Sequence, residues 1–300
     1  MFAKELVIDA RSLLDINEGA SSHINRRTAL QATIGVGYAA AAAPLMAQTA
    51  IKTSTEGLTT GEVVIDVNGF KMNAYRAAPT GKTKLPVVLV VSEIFGVHEY
   101  IADICRRFAK LGYLAIAPEL YQRQGEPMSY NVIADLMREV VSKVPDAQVM
   151  GDLDACAAWA AANGGDAKRM AVTGFCWGGR MTWLYAAHSK TIKAAVAWYG
   201  RLVGEPSVLS PKHPIDVVNN LSAPVLGLYG RADTGIPMVS LALMQNKLKD
   251  SKNKFAKLCD FVTYDDTGHA FHADYRPTYR QGPAEDGWEK LLVWFKQHGV

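Results

Sequence analysis

Glycines crowd a single cysteine at Gly174-Phe175-Cys176-Trp177-Gly178-Gly179. An apolar run at 169–174 precedes it and helix-forming residues follow, so the segment reads as strand, tight turn, helix. Flanking glycines suit such a turn, because strand and helix backbones approach too closely for a Cβ. A cysteine at that corner sits at a helix N-terminus, where free N–H groups and the helix dipole favour a thiolate and an oxyanion. The chemistry implied is nucleophilic acyl transfer. A Gly-rich phosphate cradle fits less well, since G-x-C-x-G-G lacks the dinucleotide spacing and no suitably placed acidic residue lies about 20 residues on. Cys105, Cys156 and Cys259 fall inside apolar patterns and read as small core residues.

A thiol nucleophile needs a base, and the base needs an orienting acid. Asp233, in Gly230-Arg231-Ala232-Asp233, follows a buried-strand pattern. His269, in Thr267-Gly268-His269-Ala270-Phe271, follows another. Both belong to loops after strand ends, where open parallel sheets bind ligands. The expected triad is therefore Cys176, Asp233 and His269, in the chain order nucleophile, acid, histidine. His98 precedes the nucleophile and is out of order, His272 lies three residues after His269, and His213 sits in a Pro-flanked loop. Asp265 and Asp266 are expected to shape the turn before His269, and Arg231 to bridge to a nearby carboxylate.

These residues must be placed by a scaffold, and the remaining pattern supplies one. Alternation at 61–67, Asn68-Gly69 and a return run at 70–76 predict a hairpin. Continuous apolar runs open at Pro86 and at 113–119, 193–200 and 224–230, with a further strand at 261–265; they predict strands buried on both faces. Helical patterns fill 99–111, 129–144, 146–163, 237–250 and 284–297. The alternation predicts an α/β fold: a mostly parallel central sheet with helices on both faces and an N-terminal hairpin. With 49% hydrophobic and 20% charged residues among 300, the chain is neither disordered nor a multi-span membrane protein. A net charge of +3 with no basic block gives no argument for nucleic acid. Four cysteines without a C-x-x-C pair suggest no zinc site, and the chemistry calls for no metal or cofactor.

Residues 1–50 form a separate object. Four basic and four acidic residues cancel, and no charge follows Arg26-Arg27 until Lys52. Asn25-Arg26-Arg27-Thr28-Ala29-Leu30 leads into an Ala/Gly-rich stretch with small residues around Ala47. This predicts a twin-arginine export leader and a periplasmic mature domain over 51–300; an unused leader would leave it cytoplasmic. Pro44 and the weak hydropathy argue against a membrane anchor, so no stable insertion is expected once the leader is removed.

On the elbow, acid and histidine just quoted, together with Ser92-Glu93-Ile94-Phe95-Gly96, Tyr199-Gly200 and Gly151-Asp152-Leu153-Asp154-Ala155, the chain resembles the dienelactone hydrolases (carboxymethylenebutenolidases) over nearly all of 58–300. That resemblance implies an α/β-hydrolase fold, a small ester or lactone as substrate and the triad Cys176, His269 and Asp233. It gives Glu93 a role in forming the thiolate: paired with the nucleophile without substrate, and moved toward a cation to switch it on. It makes the backbone N–H groups of Ile94 and Trp177 the oxyanion hole, and places Phe95 and Tyr199 in the pocket. Family members acting on dienelactones hold the substrate carboxylate with arginines, one of them four residues after the histidine. Here that position is Ala273, leaving Arg138 and Arg276 as candidates. A non-catalytic periplasmic binding protein and a cysteine peptidase on the same fold stand as alternatives. The oligomeric state is open.

Overall fold

The structure, a computed structural model, describes residues 51–300; the expected leader lies outside them. Eight strands form one sheet: β1 (Leu58–Val67), β2 (Phe70–Pro79), β3 (Leu85–Val91), β4 (Leu114–Pro118), β5 (Gly165–Phe175), β6 (Ala194–Trp198), β7 (Val225–Gly230) and β8 (Asp260–Tyr264). Their spatial order is β1-β2-β4-β3-β5-β6-β7-β8. The first two form the hairpin, with Val67 paired to Phe70. Asn68 and Gly69 both take positive φ, 52° and 91°, as a two-residue turn of that hand requires. β2 meets β4 antiparallel, and every later pairing is parallel.

Among the described residues, six helices complete the layers: α1 (Glu99–Lys110), α2 (Ile133–Glu139), α3 (Asp146–Ala162), α4 (Trp177–His188), α5 (Met238–Asp250) and α6 (Gln281–Gln297). α1 and α6 join through Phe108, whose ring lies 4.6 Å from Trp288 and 6.2 Å from Phe295. α3 and α4 pack on each other and on β5. Between these layers the strands read as continuous apolar runs because both faces are covered: Val87 to Val91 and Ala194 to Trp198 are fully buried.

One expected element is broken. The helical pattern at 129–144 resolves into a 3₁₀ turn (Pro127–Ser129), the short α2 and a second 3₁₀ turn (Val141–Lys143). Val140 leaves helical geometry at φ −122°, ψ −66°. The adjacent β-branched Val140 and Val141 are weak helix formers, and both are buried; tertiary packing overrides the periodicity. Strand β5 also starts earlier than expected, pairing Gly165 with Leu85 ahead of a register shift.

The chain runs from β3 outward to β4, then returns to β5 on the other side of β3. This reversal opens a crevice at the carboxyl ends of β3 and β5, the place where such sheets bind ligands. Nearby, Thr53 donates from its backbone N–H to Asp103 Oδ1 at 2.6 Å, and Asp103 pairs with Arg106 and Arg107. Arg107 reaches on to buried Asp274. That network ties the start of the described chain and α1 to the loop that carries His269. Among the described residues no helix is long and apolar enough to cross a membrane.

Candidate active site

The turn between β5 and α4 is strained where the sequence places its cysteine. Cys176 has φ 55° and ψ −116°, a conformation that L residues rarely adopt. The neighbouring glycines are required by space. A Cβ on Gly174 would lie 2.3 Å from the Gly178 carbonyl oxygen, and one on Gly178 would lie 2.4 Å from that of Val91. The second approach also brings the end of β3 against the first turn of α4. Ile94 and Trp177 therefore belong to adjoining backbone segments, and Trp177 opens α4, where amides lack intrahelical acceptors.

The loops after β7 and β8 meet in the same crevice. Asp233 Oδ2 lies 2.7 Å from His269 Nδ1, and Asp233 Oδ1 accepts backbone N–H bonds from Gly235 at 2.9 Å and Ile236 at 3.1 Å. A carboxylate so held accepts only, so Nδ1 of His269 carries the proton and Nε2 faces the other way. Both residues are buried. Burial disfavours the charged imidazole, yet the charges of Asp233 and Cys176 and the Asp233 hydrogen bond outweigh it. His269 is thereby held charged well above the usual histidine range. Tyr199 packs edge-on against His269 with centroids 5.1 Å apart.

Cys176, Trp177, Tyr199 and His269 line a cavity of about 160 Å³, whose wall also includes Met137, Val141, Arg180, Arg201, His213 and Ile236. The other three thiols do not line it. Burial pushes Cys105 and Cys156 far up, and Cys259 up to about 12. Among the described residues no cluster of three or more His, Cys, Asp or Glu side chains is disposed to hold a metal.

Glu93 is fully buried after β3. Its Oε2 accepts from the Tyr275 hydroxyl at 2.8 Å and lies 3.5 Å from His98 Nε2. Burial pushes its carboxyl up, but neighbouring His98, the charges of Arg276 and His98, and the Tyr275 hydrogen bond bring it below the ordinary carboxylate range. The site holds a carboxylate there, not a carboxylic acid.

Three of the expected pocket residues do not line this cavity. Arg138 is an exposed residue paired with Asp135 and Glu139; its position on α2 directs it to solvent. Arg276 is buried and outside the wall of this cavity, where its charge acts on Glu93 and Tyr199. Phe95 is also outside that wall and meets the ring of His98 edge-on at 6.2 Å. The cavity's guanidinium groups come from Arg180 and Arg201 instead. Arg180 forms a double hydrogen bond with Asp146, both contacts 2.7 Å, and donates to the Lys212 carbonyl and to His213 Nδ1. His213 is accordingly neutral: burial lowers its pKa, and its Nε2–H donates to the Glu205 carbonyl at 3.0 Å. Arg180 lies one helical turn after Cys176, a spacing that signals a shared face. His272, fully enclosed and pushed far down by burial, is a core histidine bonded to Tyr100 at 2.7 Å. Arg231 reaches Asp265 at 3.4 Å on the surface.

An eight-stranded, mostly parallel sheet with a strained, glycine-flanked turn at Cys176, and Asp233 and His269 meeting at the ends of later strands, is an α/β-hydrolase fold. The dienelactone hydrolase family model matches residues 72–299, and the chain belongs to that family. A Methylorubrum extorquens protein, provisionally named carboxymethylenebutenolidase, is 54% identical across 97% of this chain and 98% of its own length. An Escherichia coli K12 protein with the same provisional name is 53% identical across 88% and 96%. A solved Klebsiella pneumoniae structure, provisionally titled a dienelactone hydrolase, superposes with TM-score 0.78 at 55% identity, covering 80% of this chain and 99% of its own. The protein is a carboxylic ester hydrolase.

Proposed function

We propose that the protein hydrolyses a small lactone or activated carboxylic ester through a Cys176–His269–Asp233 triad and a thioester intermediate. The observation that carries this reading is the position of His269, hydrogen-bonded to Asp233 at 2.7 Å on one side and coupled to Cys176 on the other, in one cavity. The Cys176 thiolate attacks the carbonyl carbon, and the oxyanion rests on the backbone N–H groups of Ile94 and Trp177. The C–O bond to the leaving group breaks. His269 protonates that oxygen, unless it departs as a stabilised enolate. Water, deprotonated by His269 once it has given up its proton, or by the departed enolate when it has not, then attacks the thioester, releases the acid and restores the thiol. A thiolate expels amide nitrogen only when that nitrogen is protonated. A cavity of about 160 Å³ also suits a small ring or short ester better than a peptide.

Rapid quench of the enzyme with a slowly turned-over aryl ester tests this chemistry. One acyl group is expected on the peptide containing Cys176. Its appearance on another residue, or none during a burst, overturns the assignment. Residues 1–50 are proposed as a twin-arginine export leader. Expression of the full chain with arginines 26 and 27 both replaced by lysine is expected to abolish a shorter periplasmic form. Unchanged localisation would remove the export reading and leave the chemistry intact.

A further inference from the structure

Around Glu93 lies a buried polar cluster that the acyl-transfer steps leave unused. Two loops build it. His98 follows Glu93 by five residues in the β3–α1 loop, and Tyr275 follows His269 by six. The loop that delivers the base therefore also delivers a hydroxyl, at 2.8 Å, to the Glu93 carboxylate. His98, 3.5 Å from the same oxygen, is fixed by rings: Tyr275 edge-on at 5.0 Å, Tyr100 stacked at 5.9 Å and Phe95 edge-on at 6.2 Å. Tyr100 is itself locked by its bond to His272.

We propose that Tyr275 and His98 are positioning residues that fix the Glu93 carboxylate in place and thereby set how much Cys176 thiolate the resting enzyme holds. The proposal rests on Cys176 being the nucleophile. A buried carboxylate free to approach a thiol accepts its S–H and repels the thiolate, so its location matters. The groups facing Glu93 are His98 from its own loop, Tyr100 from α1, Tyr121 after β4, Tyr199 after β6, and Tyr275 with Arg276 from the His269 loop; Tyr121 and Tyr199 also feel Cys176, which places the thiol next to this cluster. The three tyrosines Tyr100, Tyr121 and Tyr199 are neutral throughout the working range, since burial raises each far above its ordinary value. That leaves the Tyr275–His98 pair, with the Arg276 charge, to hold the carboxylate.

The rate of Cys176 alkylation by iodoacetamide, followed by mass from about pH 5 to about pH 10, reports thiolate directly. It is measured in the full chain, Tyr275→Phe, Glu93→Gln and the double variant. Tyr275→Phe is expected to slow alkylation about tenfold at neutral pH and move the profile up by about one unit. Glu93→Gln is expected to move it down, and Tyr275→Phe on that background to change nothing more. An unaltered profile in Tyr275→Phe, or the same shift on the Glu93→Gln background, overturns the proposal. Should Tyr275→Phe not fold, His98→Asn is expected to shift the profile in the same direction and to lose its effect with Glu93→Gln. Failure of the underlying reading shows separately: Cys176 in the unaltered protein would then react no faster than Cys259.

Discussion

Cys176→Ala is expected to lower kcat for an aryl ester or enol-lactone by about 10⁴-fold or more, the scale seen when a triad nucleophile is removed. The variant should remain folded. Alanine keeps the Cβ, so the backbone strain at φ 55° is unchanged, and only one buried sulfur is lost. Thermal unfolding of the variant alongside kcat checks both halves. Retention of a tenth or more of the activity, with the other thiols unmodified, would mean that the chemistry lies elsewhere. Cys176→Ser should fall between, because a hydroxyl gives up its proton far less readily than a thiol. The pKa directions at the other cysteines sharpen the experiment. Burial holds those three thiols neutral, so an electrophile applied near pH 7 labels Cys176 first.

The second large effect falls on Asp233. Burial works against a charged His269, and the Asp233 charge is the foremost of the contributions opposing it. In the unaltered enzyme His269 therefore stays protonated through neutral pH, losing its charge only as pH rises through its elevated pKa. Asp233→Asn removes that support while an amide oxygen can still accept from Gly235 and Ile236. The imidazole pKa falls, and at pH 7 the ring loses the charge that favours a neighbouring thiolate. Expected are a loss in kcat of about 10²–10⁴-fold, the upper end being the serine-protease value, and slower alkylation of Cys176 at neutral pH. Alkylation should recover above about pH 8.5, where a thiol ionises unaided. A profile unchanged by Asp233→Asn would show that the carboxylate neither charges nor orients the ring.

Much of this site was legible before any coordinates. The turn at Gly174–Gly178 announces itself because its constraint is local: a carbonyl 2.3 Å from a would-be Cβ forbids side chains at defined positions. Asp233 and His269 were legible because parallel strands present their carboxyl ends at one edge, so residues just after apolar runs converge there. The arginines were not. Arg276 lies near the histidine and Arg138 near the elbow along the chain, while the arginines that line this cavity, Arg180 and Arg201, come from α4 and from the segment after β6. His98 was set aside on chain order, which governs the triad but not the neighbours of Glu93.

The sequence by itself determined the strand succession, the strained glycine-flanked corner at Cys176 and the convergence of Asp233 and His269, because each follows from steric and periodic rules acting over a few residues. Only the tertiary structure decided which cations enclose the cavity, which groups hold the Glu93 carboxylate and where the 129–144 segment breaks. Those outcomes depend on side chains meeting across 182 residues of chain, as Tyr275 meets Glu93, and on burial that overrides local helix preference. Neither is encoded in spacing along the polypeptide.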